Sequence, residues 1–235
     1  MNFMRIITSG AVVNFLLVIL GTVLGLIFKK GIPERVKTTL MNGMALCVLY
    51  IGITGLFEEG ADIIIIIISF ALGAVIGELV DFDGLVNKLG STLEKKFGKG
   101  ETKIAEGFVT ATLLFCVGAM TIVGSIESGI SNENSTLYSK SMIDCVAAMA
   151  LTSSLGIGVI LSSLSVLVLE GGLTLLAVFV EPILTNVIVT QMSVIGSLLI
   201  ISLGLNMLGL TKIKVMNYLP SIFLPLLLCP LIALF

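Results

Sequence analysis

Residues 63–80 of the chain, IIIIIISFALGAVIGELV, decide its fold class. The stretch has 18 residues, and its one charged side chain, Glu78, lies close to the end. A helix needs about 20 predominantly apolar residues to cross the hydrocarbon core of a bilayer. The stretch therefore predicts a transmembrane helix.

The composition extends that prediction to the whole chain. Of the 235 residues, 57% are hydrophobic and only 12% are charged, and the mean hydropathy is +1.17. A soluble domain carries about 25% charged residues, so the apolar surface of this chain must face lipid. The length allows about eight helices and leaves no room for a separate soluble domain. We expect an all-α, polytopic transmembrane helical bundle, with residues 1–235 forming a single integral membrane domain.

The same criterion finds eight candidate spans. They cover residues 8–28, 39–57, 63–80, 105–126, 141–169, 173–190, 193–210 and 218–235. The fifth span has about 29 residues, too many for one straight crossing, and it is interrupted by Ser and Gly near its middle. It is either one broken span or a re-entrant pair of half-helices.

The basic residues give the orientation. Of the thirteen Lys and Arg residues, all but Arg5 and Lys140 fall in loops on one side of the predicted bundle. Cytoplasmic loops carry the excess of Lys and Arg, so both termini are expected outside. The net charge of −2, with few basic residues in short loops, gives no surface for nucleic acid.

Residues 83–103 form the one long loop, between the third and fourth spans. Leu85, Leu89, Leu93 and Phe97 recur at helical spacing, with lysines and acids between them. The pattern predicts an amphipathic helix on the cytoplasmic surface. A simple connector is favoured over a lipid-binding or regulatory role.

Two pairs of segments indicate an internal repeat. LGTVLG (20–25) resembles LGAVIG (72–77), and LCVLYIGITGLFEEG (46–60) matches FCVGAMTIVGSIESG (115–129) at six of fifteen positions. The simplest account is that the first two spans were duplicated as the third and fourth, with the surface helix inserted. The paired glycines also favour close helix packing, within one chain or between the chains of a homodimer.

Three of the carboxylates in or next to the predicted spans are candidates for a functional charge, because a charge there is costly and is often functional. Glu127 closes the fourth span, and Glu181 precedes Pro182 near the centre of the sixth. Asp144 lies in the first turn of the fifth span. Two interpretations of Asp144 are equally favoured: an acid that stabilises the start of a helix near the membrane interface, and a functional carboxylate.

Small and hydroxylated residues weaken the fourth and fifth spans and free backbone carbonyls there. Such breaks are tolerated where they line protein or water, and transporters place ion sites at them. We therefore expect the two breaks to meet and form one substrate or ion site. The predicted site comprises Gly118, Thr121, Gly124, Ser125, Glu127, Asp144, Ser153, Ser154, Gly156, Gly158 and Glu181.

The segments FCVGAMTIVGSIESG, KSMID and SLGIGVILSS resemble the YqgA- and YdfK-like family of bacterial membrane proteins. Asn14, Gly77-Glu78 and the final NYLP (217–220) belong to the same resemblance, which covers nearly the whole chain. It implies a bacterial inner-membrane location and importance for the Gly/Ser/Asp centre. A sodium channel or pump is the activity suggested for such proteins. The chain departs at Glu170, where the family has glutamine, so the resemblance implies no role for that position.

These observations favour a secondary transporter of a small solute or ion, coupled to Na⁺ or H⁺. Hard cations prefer the oxygen ligands that the predicted site offers, so a bound Na⁺ is the one cofactor expected. The alternatives are an ion channel and a structural or signalling membrane protein. An enzyme is not expected, because the chain has no His and shows no spacing of a nucleophile and its base. The four cysteines lie in apolar runs without metal-ligand spacing.

Overall fold

A computed structural model of the chain describes residues 10–29, 34–97, 104–116, 119–180 and 182–232, and within those ranges the regular structure is helical. The α-helices are α1 (Gly10–Lys29), α2 (Glu34–Thr54), α3 (Ile63–Val80), α4 (Phe82–Phe97), α5 (Ile104–Cys116), α6 (Ala119–Ile130), α7 (Ser135–Leu155), α8 (Leu161–Val180), α9 (Asn186–Met207) and α10 (Pro225–Ile232). Short 3₁₀ segments cover Gly55–Phe57, Ile157–Ile160 and Val215–Ile222.

Four stretches within these helices are long and apolar enough to cross a membrane. They are Gly10–Ile27, Ile63–Val80, Ile157–Phe179 and Asn186–Met207. Two bent pairs raise the number to six, with bends of 59° between Ile104–Cys116 and Met120–Ile130 and 41° between Val215–Ile222 and Pro225–Ile232. The all-α architecture with several apolar spans is confirmed, and the count of eight crossings and the duplication stay predictions.

The boundaries of the fifth and sixth predicted spans are wrong. The helix α7 starts at Ser135 and ends at Gly156, which has φ +85°, a backbone conformation that favours glycine. A 3₁₀ turn then leads into α8, which ends at Val180, so no continuous helix covers 173–190. The next helix, α9, begins where the hydroxyl of Thr185 accepts a hydrogen bond from the backbone N–H of Ile188.

Glycines bring helices into backbone contact at two places. A Cβ on Gly21 would lie 2.2 Å from the carbonyl oxygen of Cys145, so α1 packs directly on α7. A Cβ on Gly77 would lie 1.7 Å from the carbonyl oxygen of Asn217, so α3 packs as closely on the 3₁₀ segment Val215–Ile222. The packing role predicted for both glycine pairs is confirmed within one chain.

The helix α4 follows α3 after a turn at Asp81, whose φ of 55° lies in the left-handed region. The carboxylate of Asp81 accepts a hydrogen bond from the N–H of Gly84 and so stabilises the start of α4. This helix contacts α5 and the segment Val215–Ile222. The structure confirms a helix over the described part of the predicted surface segment, and residues 98–103 lie outside the described ranges.

Candidate functional site

Four buried polar residues from three helices meet inside the bundle. Lys140 and Asp144 lie one turn apart on α7, so their side chains share a helix face. That face meets Asn14 of α1 and Glu170 of α8. Exposure is 0% for Asn14 and Glu170, 4% for Asp144 and 6% for Lys140. We call these four residues the ion cluster.

Two donors hold the two carboxylates of the ion cluster together. The amide nitrogen of Asn14 donates to Oδ2 of Asp144 at 2.9 Å and to Oε1 of Glu170 at 2.8 Å. The ammonium of Lys140 also bonds Oδ2 of Asp144, and it lies 3.1 Å from Oε1 of Glu170. One oxygen of each carboxylate therefore interacts with both donors, the Asn14 amide and the Lys140 ammonium.

Two acceptor oxygens in the ion cluster have no hydrogen-bond partner among the described residues. They are Oδ1 of Asn14 and Oε2 of Glu170, and both are fully buried. Buried acceptors without a donor are costly and uncommon. These oxygens are therefore available to a proton or to a cation that coordinates oxygen.

The formal charges of the ion cluster do not cancel. Two carboxylates and one ammonium give a formal charge of −1. A charge inside a low-dielectric interior costs several kcal/mol unless it is paired. One additional positive charge, carried by a proton or a monovalent cation, would make the cluster neutral. Among the described residues there is no group of three or more His, Cys, Asp and Glu that could hold a metal ion.

Close packing of α1 on α7 brings the short side chain of Asn14 within reach of the carboxylates. Gly21 and Gly25 follow Asn14 by about two and three helical turns, so all three residues lie near one face of α1. A Cβ on Gly25 would lie 2.5 Å from the carbonyl oxygen of Met149. The glycines that looked like packing residues therefore also position the ion cluster.

The ion pair between Lys140 and Glu170 fixes the path of the chain through α7 and α8. Lys140 lies sixteen residues before Gly156, and Glu170 lies fourteen residues after it. Helical segments of that length extend more than about 20 Å from the turn, so the two side chains can meet only if α7 and α8 run in opposite directions. The helix α1 packs against both.

A mostly apolar cavity of about 580 Å³ lies beside the ion cluster. Leu169, Gly172 and Leu173 of α8 line it, next to Glu170 in the sequence. Cys116 of α5 also lines it and interacts electrostatically with Lys140, Asp144 and Glu170. The cavity therefore adjoins the part of α8 that carries Glu170.

A second polar group lies where α3 ends. The ammonium of Lys214 lies 2.5 Å from Oε1 of Glu78, and the Asn217 amide donates to Oε2 of Glu78 at 2.6 Å. The hydrogen bond to Glu78 raises the pKa of Lys214, while partial burial raises the pKa of nearby Asp83. The side chains of Glu78 and Lys214 are 60% and 52% exposed, so solvent screens this pair and it contributes little to stability.

Asp144 is the predicted site residue that the structure places in the ion cluster. Thr121 and Ser125 instead bond backbone carbonyls of α5 and α6: the Thr121 hydroxyl donates to the carbonyl of Phe115, and the Ser125 hydroxyl donates to the carbonyl of Thr121. Both belong to a continuous helix, so the break expected around Gly124 and Ser125 is wrong.

Gly124 and Glu127 belong to the junction between α6 and α7. A Cβ on Gly124 would lie 3.0 Å from the Thr136 side chain, and the carboxylate of Glu127 accepts a hydrogen bond from the Thr136 hydroxyl at 2.8 Å. These contacts of the two residues are with α7 and do not include the ion cluster. They hold the first turn of α7 against α6.

The residues of the second break lie at the other end of α7. Ser153 donates to the carbonyl of Ala150, Ser154 has a buried hydroxyl without a partner, and Gly156 ends the helix. A Cβ on Gly158 would lie 2.2 Å from the carbonyl oxygen of Ile104, so this turn packs on the start of α5.

The two predicted breaks therefore do not meet. Gly124 packs on Leu137 near the start of α7, and Ser154 lies 17 residues further along the same helix, a rise of about 25 Å. The break expected in the fourth span is the 59° bend between Ile104–Cys116 and Met120–Ile130. Gly124 lies beyond that bend and serves packing inside α6, so Gly124 and Ser154 do not form one shared site. Gly118 and Glu181 lie outside the described residues.

Three members of the ion cluster were not among the predicted site residues. Asn14 belongs to the family resemblance in the sequence, which did not indicate the two carboxylates that its amide joins. Lys140 was assigned to a loop, one residue before the predicted span. The signals that could have identified the cluster are the four-residue spacing of Lys140 and Asp144 and the position of Glu170 far from either end of an apolar helix.

Comparisons with known proteins agree on the family. A family model described as a protein of unknown function, DUF554, matches residues 9–230. The chain belongs to the DUF554 family. The uncharacterised membrane protein YdfK of Bacillus subtilis (strain 168) is 31% identical over 216 residues, which cover 91% of this chain and 92% of YdfK. The uncharacterised protein YqgA of Escherichia coli (strain K12) is 30% identical over 218 residues, with coverage of 91% and 92%.

The family assignment confirms the resemblance seen in the sequence. One of these DUF554 relatives is described as a membrane protein, in agreement with the several apolar helices of this chain. No solved structure matches. The chemistry of this DUF554 member must therefore be argued from its own residues.

Proposed function

We propose that this chain is a secondary transporter of a small solute or ion, driven by a proton or sodium gradient. The observation that carries the proposal is the ion cluster, in which Lys140, Asp144 and Glu170 are buried with a formal charge of −1. Ionisable residues inside a membrane protein are expensive and mark ion and substrate pathways. The ion cluster would bind and release the driving ion.

The composition of the ion cluster supports a transport role over a purely structural one. A structural polar network is best when its charges cancel and every acceptor has a donor. Here one negative charge is uncompensated, and Asn14 and Glu170 each keep an acceptor oxygen without a partner. Reversible binding of a cation to such a site is therefore favourable.

The neighbouring cavity supports transport of a solute. Its volume of about 580 Å³ falls within the range of small-molecule sites. Residues on one turn of α8 line the cavity on one side, and Glu170 on the same turn belongs to the ion cluster. A change of charge at Glu170 would therefore change the electrostatic potential at the cavity wall. Such a link between the ion site and the solute site is the coupling that a secondary transporter needs.

Reconstitution into liposomes tests the proposal. The purified chain should dissipate an imposed proton or sodium gradient, read with a pH-sensitive or sodium-sensitive dye trapped in the lumen. Asp144→Asn and Glu170→Gln should each abolish the flux. Glu133→Gln, which changes an exposed carboxylate at the α6–α7 turn, should leave the flux unchanged.

The dependence of the flux on ion concentration separates a transporter from a channel. A transporter saturates at low turnover, whereas a channel passes many more ions without alternating access. Unchanged flux in both carboxylate variants, or no flux above protein-free liposomes for either gradient, would refute the proposed function.

A further inference from the structure

We infer that Lys140 sets the charge of the ion that the cluster accepts and limits it to one monovalent cation or one proton. The inference deepens the proposed function, on which its role in transport rests, by assigning the charge selectivity of the site to this residue. The geometry and the charges of the ion cluster carry the argument.

The ammonium of Lys140 is already a cation bound between the two carboxylates. It bonds Oδ2 of Asp144 and lies 3.1 Å from Oε1 of Glu170. The Asn14 amide donates to the same two oxygens. No described residue donates to the second oxygen of Glu170, which is fully buried. An incoming positive charge therefore binds beside Lys140 rather than in its place.

Charge balance then selects the ion. With Lys140 present, the formal charge of −1 is cancelled by one monovalent ion, and a divalent ion would leave a buried charge of +1. Without the ammonium, the two carboxylates carry −2, which a divalent cation or two protons would cancel. An unpaired charge is strongly unfavourable in a low-dielectric interior, so removal of this one lysine should invert the preference.

The groups around the ion cluster leave this count unchanged. The helix α1 contributes the uncharged Asn14, α7 contributes Lys140 and Asp144, and α8 contributes Glu170. Among the described residues, the further titratable group that interacts electrostatically with all three charges is Cys116 of α5, and its thiol form carries no charge.

The test measures ion-dependent stability of the full chain in detergent. NaCl is titrated against choline chloride at constant ionic strength and alkaline pH, CaCl₂ is titrated separately, and acid is titrated without Na⁺. For the wild type, Na⁺ or acid should raise the midpoint of thermal unfolding, and Ca²⁺ should not. In Lys140→Gln, Ca²⁺ should raise the midpoint by about 5 °C or more, as expected for a ligand well above its Kd.

Charge-matched variants make the result specific. Lys140→Arg keeps the charge and should keep the monovalent response. Glu170→Gln alone makes the cluster neutral and should lose the response to Na⁺ and to Ca²⁺. The double variant Lys140→Gln/Glu170→Gln returns the formal charge to −1 and should regain the monovalent response, so the inference remains testable if Lys140→Gln does not fold. Lys212→Gln, an exposed lysine elsewhere, should behave as the wild type.

Two results would overturn the inference. One is stabilisation of the wild type by Ca²⁺ as strong as that of Lys140→Gln. The other is a double variant that fails to recover the monovalent response that Glu170→Gln loses. Both of these measurements report ion binding and not transport. If the wild type shows the expected ion response but no flux in liposomes, the transporter proposal alone is refuted. If Lys140→Gln shows flux and keeps the ion selectivity of the wild type, the selectivity role of Lys140 alone is refuted.

Discussion

At Asn14, one small amide joins two carboxylates that belong to different helices. Its nitrogen donates to Asp144 of α7 and to Glu170 of α8, while its own backbone belongs to α1. A hydrogen bond to a charged group contributes more than one between neutral groups. Asn14 therefore stabilises a negatively charged pair that Lys140 alone compensates only in part.

Asn14→Ala should lower the stability of the protein. Each carboxylate loses a buried donor, and an unsatisfied buried group costs about 1–3 kcal/mol. The free energy of unfolding should fall by about that amount or more, measured by thermal or denaturant unfolding in detergent. Asn87→Ala removes an exposed hydrogen bond to Asp83 and should change it by less than about 0.5 kcal/mol. Equal stability of the two variants would contradict the role given to Asn14.

The sequence identifies one carboxylate of the ion cluster but not the cluster itself. Asp144 is recognisable because a charge inside an apolar run needs a reason. Lys140 was missed because the hydropathy signal starts at residue 141, whereas α7 starts at Ser135. A polar first turn carries no apolar signal, and its burial depends on partners from distant parts of the chain. The pairing with Glu170 depends on α7 and α8 folding back on each other, which spacing alone does not reveal.

At the scale of the helices, glycine has two roles that look alike in sequence. Gly124 lies inside the continuous helix α6 and receives Leu137 of the next helix, whereas Gly156 ends α7 with a positive φ. A helix break and a close helix contact both favour glycine. This ambiguity is why the break placed at Gly124 was wrong and the break at Gly156 was correct. The fourth predicted span does bend by 59°, but between Ile104–Cys116 and Met120–Ile130, before Gly124.

The contact between α1 and α7 can be tested with a matched pair of glycines. A Cβ at Gly21 would lie 2.2 Å from the backbone oxygen of Cys145, so Gly21→Ala must push the helices apart and should cost about 1–3 kcal/mol of unfolding free energy. Gly43 in α2 has no atom within 4 Å of such a Cβ. There, Gly43→Ala should raise the stability by up to about 1 kcal/mol, since alanine is the better helix former.

The same pair of helices links packing to the ion cluster. If Gly21→Ala moves α1 away from α7, it also weakens the bond from Asn14 to Asp144. The effects of Gly21→Ala and Asn14→Ala should then be less than additive in a double-mutant cycle. Strict additivity would show that the contact at Gly21 and the ion cluster are independent.

For the molecule as a whole, the antiparallel course of α7 and α8 decides the topology. The helix α7 is long enough to cross a bilayer, but its buried Lys140 and Asp144 make it less apolar than the four clearly apolar spans. The number of crossings equals the eight predicted from the chain length under one condition. The helices α2, α7 and α8 must each cross once, and each bent pair must count as one crossing. The positive-inside rule predicts that the segment around Lys212 lies in the cytoplasm and the α6–α7 turn outside.

Single cysteines in a cysteine-free background test this topology. Glu133→Cys and Lys212→Cys report the two predicted sides, since both positions are exposed. Ile157→Cys, at 40% exposure in the turn between α7 and α8, is the deciding position. If each helix crosses the membrane, a membrane-impermeant thiol reagent should label position 157 from the cytoplasmic side, as it labels position 212.

The opposite result at position 157 has a definite structural meaning. A re-entrant pair would enter and leave on the side of position 133, and its tip would be labelled from outside or protected from both sides. The Lys140–Glu170 ion pair would then belong to a short loop dipping into the bilayer, and the chain would cross two times fewer. The lengths of α7 and α8, 21 and 20 residues, span about 30 Å each, which matches the hydrocarbon thickness and favours the two full crossings. Those crossings would place Lys140, Asp144 and Glu170 within the membrane-spanning length of α7 and α8, where an uncompensated charge can be coupled to an ion gradient.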